Sequence, residues 1–253
     1  MNAFEDSSAN QAQTAETKPL SQAERVINVF VAPSRTFVDI LRSHSWWLPF
    51  LIMVVIGYAY LFIVQGEVGW DTIATNITRH LALPMDDPAR APRILEITIA
   101  IVKARMYAYP LIILVASAIA ALLLSGTVNF LLGGKASFER VFAIWMYAML
   151  PRTLSAIIPA AGLLLGMHRD SFYLSNPIGT NVGYYLSPSA PEWLMSVGTA
   201  LDVLHIWSLI LVSIGLSVVA NISRASGFIA VFGWAVLIVL GKLAYAALSA
   251  NMG

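Results

Sequence analysis

A chain of 253 residues that is 58% hydrophobic, only 11% charged and has a mean hydropathy of +0.74 cannot cover a water-soluble surface of its size, since soluble domains carry about a quarter charged residues. Its net charge of +1 gives no global attraction to nucleic acid. The absence of cysteine excludes disulfides, thiol catalysis and cysteine–metal clusters.

Residues 1–20 hold Glu5, Asp6 and Glu16 in a Ser/Asn/Gln/Thr mixture. They lack the large apolar residues of a core and the basic start and apolar run of a cleavable signal. They are expected to be a disordered cytoplasmic tail, with the first apolar segment serving as an uncleaved signal-anchor. Over 21–43, Ser21 and Glu24 have capping-box spacing, Val26, Ile27, Val29 and Phe30 follow, and Pro33 breaks the run. Ser34 is placed to cap a second short helix, in which Phe37, Ile40 and Leu41 share a face. Two short amphipathic helices are predicted. They either lie on the membrane surface, with Arg25, Arg35 and Arg42 toward headgroups and Phe30 and Phe37 toward the acyl region, or pack on the protein itself.

A spanning helix needs roughly 20 mainly apolar residues. Five segments qualify: 46–64, opening on the interfacial pair Trp46-Trp47, then 107–132, 141–166, 201–220 and 228–248. The fold class predicted is therefore an all-α membrane protein, a bundle of about five transmembrane helices preceded by amphipathic helices. Small residues recur at helical spacing as Ala116 with Ala120, Ser117 with Ala121, and Ser213 with Ser217. Such pairs let backbones approach closely, and intramolecular packing is their expected use. The connections 65–106 and 167–200 are long; the first contains a helical stretch from about Ile94 to Arg105, and the second is rich in Asn, Gly and Pro turn chemistry. The connections at Gly133-Gly134-Lys135 and at 221–227 are short.

Alternation puts both long connections on one side. Basic residues are denser on the other, at Lys18, Arg25, Arg35, Arg42, Lys135, Arg140 and Arg224, whereas Lys103 and Arg105 pull the opposite way. The positive-inside rule weights short loops and flanks, so the N-terminus is expected inside and the C-terminus outside.

No H-E-x-x-H zinc motif or G-x-S-x-G elbow occurs, and His44, His80, His168 and His205 are scattered. The run 132–136 lacks the first glycine and the terminal hydroxyl of a phosphate-binding loop and reads as a tight interhelical turn. No catalytic residue, metal ligand or cofactor is expected. Four ionisable residues do fall inside the predicted spans: Arg152, Asp202, His205 and Lys242. At the rise of a helix they lie about 17, 27, 22 and 21 Å from the inner ends of their segments. A shared polar layer in the outer half follows, with Asp202 expected to reach Arg152 or Lys242, directly or through water. Such a layer is either an ion-pair network that fixes helix register or a transport or signalling site. In the third segment Pro151 and Pro159 each remove a backbone hydrogen bond, and a kink is expected beside Arg152.

Three stretches resemble the Yip family, the Ypt/Rab-interacting proteins, and specifically its bacterial branch: 26–37 with its helix, Pro33 and Phe37; Tyr147-Ala148-Met149-Leu150-Pro151-Arg152; and 201–207 continuing to Ser223-Arg224-Ala225. The resemblance implies five spans, a cytosolic N-terminus, no enzymatic activity and a bacterial cytoplasmic membrane. Eukaryotic members bind Rab-type GTPases. The short tail here has no counterpart of their acidic–aromatic–proline motif, and GTPase binding is not carried over. The expected role is a non-enzymatic membrane protein that organises membrane lipids or protein partners. The alternative is a small transporter or channel using the polar layer, and a membrane enzyme ranks third.

Overall fold

A computed structural model describes residues 19–250 apart from 82, 171, 188 and 189. Most of the expected tail thus lies outside the described residues. Eleven α-helices and two short 3-10 turns make up the regular structure of the described residues, and no β-strand is present among them.

Five helices are long and apolar enough to cross a membrane. In chain order they are α3 (Trp47–Glu67), α6 (Tyr109–Leu131), the broken helix formed by α7 (Phe138–Ala148) and α8 (Leu154–Leu164), α10 (Val203–Ala220) and α11 (Arg224–Ala250). These coincide with the five expected segments to within a few residues. Burial is unequal: 61% of the α10 window and 56% of the α7–α8 window are buried, against 17–28% for α3, α6 and α11. Helices α10 and α7 are therefore the centre of the bundle, and the other three spans present most of their surface to lipid.

Local chemistry sets the ends. Asp202 caps α10, and Asn221 closes it in the left-handed region at φ 52°, where its N–H reaches the Ser217 and Val218 carbonyls. Pro110 sits in the first turn of α6, where a missing N–H costs nothing. The Gly133-Gly134-Lys135 segment is the tight turn expected: Gly133 has φ +67°, and the Asn129 side chain clamps the backbone of Ala136 in both directions at 2.8 and 2.9 Å. Ser213 and Ser217 leave room for Gly227 of α11, where a Cβ would stand 2.6 Å from the Ser213 carbonyl oxygen. Ser117 and Ala121 are buried, whereas Ala116 is exposed; of the two α6 pairs only Ser117–Ala121 serves packing within this chain.

The N-terminal helices are α1 (Gln22–Val31) and α2 (Pro33–Arg42). The Ser21–Glu24 capping box forms as expected. Ser34 is not the cap of α2. Pro33 occupies the first turn, its fixed φ suiting that position, and Ala32 precedes it without a side-chain cap. Val29, Phe37 and Ile40 are completely buried in the core that α7 and α10 build. The α1–α2 pair is thus part of the bundle, and only its opposite face, with Ile27, Val31, Val38 and Leu41, is exposed.

The long connections carry more structure than expected. Residues 65–106 contain α4 (Trp70–His80) as well as α5 (Ala91–Tyr107), and 167–200 ends in α9 (Glu192–Ala200). Arg169 pairs with Glu67, Asn76 Nδ2 donates to the Phe172 carbonyl at 2.9 Å, and His80 stacks on Tyr173 at 3.8 Å. These contacts fasten the end of α3 and α4 to the segment after α8 over a small core of Val64, Val68, Ile73, Leu163 and Phe172.

Candidate functional site

Of the expected polar layer, Asp202 and His205 stand together at the start of α10, Arg152 lies in the 3-10 turn between α7 and α8, and Lys242 lies in α11. Of the two expected links, direct or through water, the direct one is not made: Asp202 forms no ion pair with Arg152 or Lys242 among the described residues. Its Oδ1 accepts the His205 backbone N–H at 2.8 Å, and its Oδ2 accepts the Thr180 hydroxyl at 2.5 Å. The reason is position: α10 begins at Val203, so Asp202 is a capping residue where unpaired N–H groups compete for its carboxylate.

Thr180 belongs to a polar knot in the loop above α10. Its carbonyl accepts the Val203 N–H at 2.9 Å, Asn181 makes a single antiparallel bridge with Asp202, and the Asn176 and Asn181 amides bond reciprocally at 3.3 and 2.7 Å. Arg152 and Lys242 are exposed side chains, the first at the break in the third span and the second on the outer flank of α11. Two buried polar atoms beside the layer, His205 Nδ1 and Ser208 Oγ, have no hydrogen-bond partner among the described residues.

The kink coincides with Arg152. Helix α7 stops at Ala148, Leu150–Thr153 forms a 3-10 turn with Pro151 near its start, and α8 resumes at Leu154. Hydroxyls satisfy carbonyls at the break: Thr153 Oγ1 donates to Leu150 at 2.7 Å, and Ser155 Oγ to Arg152 at 2.6 Å. Pro159 lies inside α8 without ending it.

A second polar cluster, at the other end of the bundle, was not anticipated. Arg25 is 1% exposed. It does not face headgroups; its Nε donates to Asp39 Oδ2 at 2.6 Å, and its Nη1 to the Ser43 carbonyl at 2.8 Å. Arg42 adds two hydrogen bonds to Asp39 Oδ1, at 2.9 and 3.2 Å, and the Leu20 N–H a third at 3.3 Å. Burial opposes ionisation of Asp39. The hydrogen bonds from Arg42 and Arg25 and the Arg25 charge outweigh it, so its pKa lies below the ordinary 3.8. The Tyr147 hydroxyl donates to Gln22 at 2.5 Å, which ties α1 to α7. Of the five residues expected at the membrane surface, Arg25 and Phe37 are taken into the protein, Phe30 packs edge-on against Trp207 at 5.8 Å, and Arg35 and Arg42 remain exposed. The signal for the pair was the place of Arg25 on the apolar face of α1, one residue before Val26 and four before Val29.

The Yip1 domain model matches residues 27–246, which takes in α2 and all five spans. The chain belongs to the Yip1 domain family. No curated protein and no solved structure matches it.

Proposed function

We propose that this Yip1-family protein is a non-enzymatic component of the bacterial cytoplasmic membrane that organises membrane lipids or protein partners, with its short loops and N-terminus in the cytoplasm. The observation that carries this reading is the use made of Asp202. As the acid of the intramembrane layer, it is the group a proton- or cation-coupled transporter would keep available. Here its two oxygens are spent on the first turn of α10 and on Thr180, so the layer fastens the long loop to the central helix. A rigid core with a broad lipid-facing surface on α3, α6 and α11 suits a protein whose work is done on its exterior.

A transporter is the second reading, favoured by one specific observation: His205 Nδ1 and Ser208 Oγ are buried within α10 and have no hydrogen-bond partner among the described residues. Such groups in a membrane interior mark pathways in transport proteins. Purification from native membranes, with mass spectrometry of what accompanies the protein, separates the two. Enrichment of particular phospholipids or membrane proteins, unchanged by Arg152→Gln, is the expected result. No enrichment, together with solute or ion flux in proteoliposomes that Arg152→Gln abolishes, would overturn it.

A further inference from the structure

The turn from α2 to α3 carries an opening that neither polar cluster uses. It has a volume of about 520 Å³ and is lined by Arg42, Ser43, His44, Ser45, Trp46 and Trp47. Its charge follows from the clamp beside it. Two guanidiniums, Arg25 and Arg42, share the single carboxylate of Asp39. One positive charge is left over, and Arg42, whose side chain is 51% exposed, carries it toward the opening. Glu139, in the first turn of α7, is the acid of this end outside the N-terminal helices among the described residues.

The opening is rigid before anything binds. Arg25 holds the Ser43 carbonyl, and Arg140 Nη2 donates to the Leu41 carbonyl at 3.3 Å. Trp46 is fixed edge-on against Phe142 and Phe50, with centroids 5.1 and 5.9 Å apart. Trp47 is half exposed in the first turn of the spanning helix α3, which sets the opening at the level of lipid headgroups. Exposed Val38 and Leu41 continue an apolar rim along α2. The surrounding end of the bundle is cationic: Arg25, Arg35, Arg42, Lys135, Arg140 and Arg224 face only Glu24, Asp39 and Glu139 among the described residues.

We propose that this opening binds the phosphate headgroup of an anionic phospholipid from the leaflet at the short-loop end. Arg42 contacts the phosphate, the Ser45 hydroxyl and His44 ring line its cradle, and Trp47 with Leu41 meets the start of the acyl chains. The apolar rim at membrane level is what selects a lipid over free phosphate. The proposal rests on the lipid branch of the function proposed above and names the site through which it acts.

The test uses the full chain in detergent, titrated with phosphatidylglycerol or phosphatidylcholine of the same acyl composition and read by native mass spectrometry. Phosphatidylglycerol should be retained preferentially. Loss of one basic residue near an anionic headgroup is expected to cut retention about fivefold, so Arg42→Gln should do this while Arg90→Gln, at the opposite end, should not. Arg42→Gln also loosens Asp39, so Ser45→Glu, which puts a negative charge into the opening without touching the clamp, should give the same loss in a folded protein. If the wild type selects phosphatidylglycerol and Ser45→Glu retains it equally, the site is wrong while the lipid reading stands. If the wild type shows no selection, the lipid reading itself fails. Displacement of the lipid by excess inorganic phosphate would show that free phosphate is the ligand and overturn the proposal.

Discussion

Among the described residues the largest fully buried side chain is that of Arg25. A guanidinium is tolerated there because Asp39, Ser43 and the turn between α2 and α3 surround it with acceptors. Removing one partner of a buried pair leaves a charge uncompensated and costs roughly 3–5 kcal/mol, whereas the half-exposed Arg42 contributes far less. Asp39→Asn should therefore lower the thermal midpoint in detergent sharply, and Arg25→Met with Asp39→Leu together should cost less than the sum of the two single changes. Additive losses would contradict the pairing. The pH dependence has a definite sign. A depressed carboxylate pKa gives stability that is present above the unfolded value and lost as pH falls through the folded one. The stability gap between wild type and Asp39→Asn should be flat from neutral pH down toward the ordinary 3.8 and should close only below it. A gap that shrinks between neutral pH and that value would refute the assignment. Thr180 offers a second test at this scale. Thr180→Val leaves Asp202 with the His205 N–H alone, a loss on the order of 1 kcal/mol for a half-buried hydrogen bond to a charged group. Amide hydrogen exchange over 176–186 and at Val203 should accelerate, and unchanged exchange would mean that the hydroxyl does not hold the loop.

At the scale of helices, the apolar lengths of the spans were legible because lipid demands a long uninterrupted run, and each observed span matches one. The break at Pro151 was legible for the same kind of reason, since proline removes a donor that nothing in lipid replaces. Helix α4 was not. Its Ile73 and Ile77 do recur at helical spacing, but they join a core with Leu163 and Phe172, some ninety to a hundred residues further on, and the surrounding prolines dominated the local pattern. Helix α9 has nine residues and a glycine, too little for periodicity to speak. The docking of α2 on α10 depends on one absent side chain. A Cβ at Gly215 would lie 2.5 Å from Ile144 Cγ2 and 3.1 Å from Phe37 Cδ1, so the three elements meet only because glycine is there. Gly215→Ala should destabilise by about 1–3 kcal/mol through overpacking and render α1–α2 sensitive to protease. Gly233→Ala, on α11 with nothing within 4 Å, should be neutral or gain up to about 1 kcal/mol from helix propensity. Equal midpoints for the two variants would contradict the close approach at Gly215.

For the molecule as a whole, composition and hydropathy pointed to the bundle, and depth counting brought Arg152, Asp202, His205 and Lys242 to one level. What depth counting does not contain is orientation about each helix axis and the competition for each polar atom. That is why Asp202 emerged as a cap and not as an ion-pair partner, and why Arg25, read as a headgroup ligand, lies inside. The alternation of long and short connections makes two chemically different ends. The short-loop end holds the Arg25–Asp39 clamp and the cationic opening; the long-loop end holds α4, α5, α9 and most of the acidic residues, among them Glu67, Asp71, Asp86, Asp87, Glu96 and Asp170. The proposed function requires the short-loop end to face the cytoplasm. Because the chain has no cysteine, single introduced thiols report their side without interference, and the four exposed positions Asp86, Asp170, Lys135 and Ala225 sample both ends. A membrane-impermeant thiol reagent applied to intact cells should label Asp86→Cys and Asp170→Cys, while Lys135→Cys and Ala225→Cys should react only after permeabilisation. Labelling of Lys135→Cys or Ala225→Cys from outside, or disagreement within either pair, would contradict the five-span bundle in this orientation.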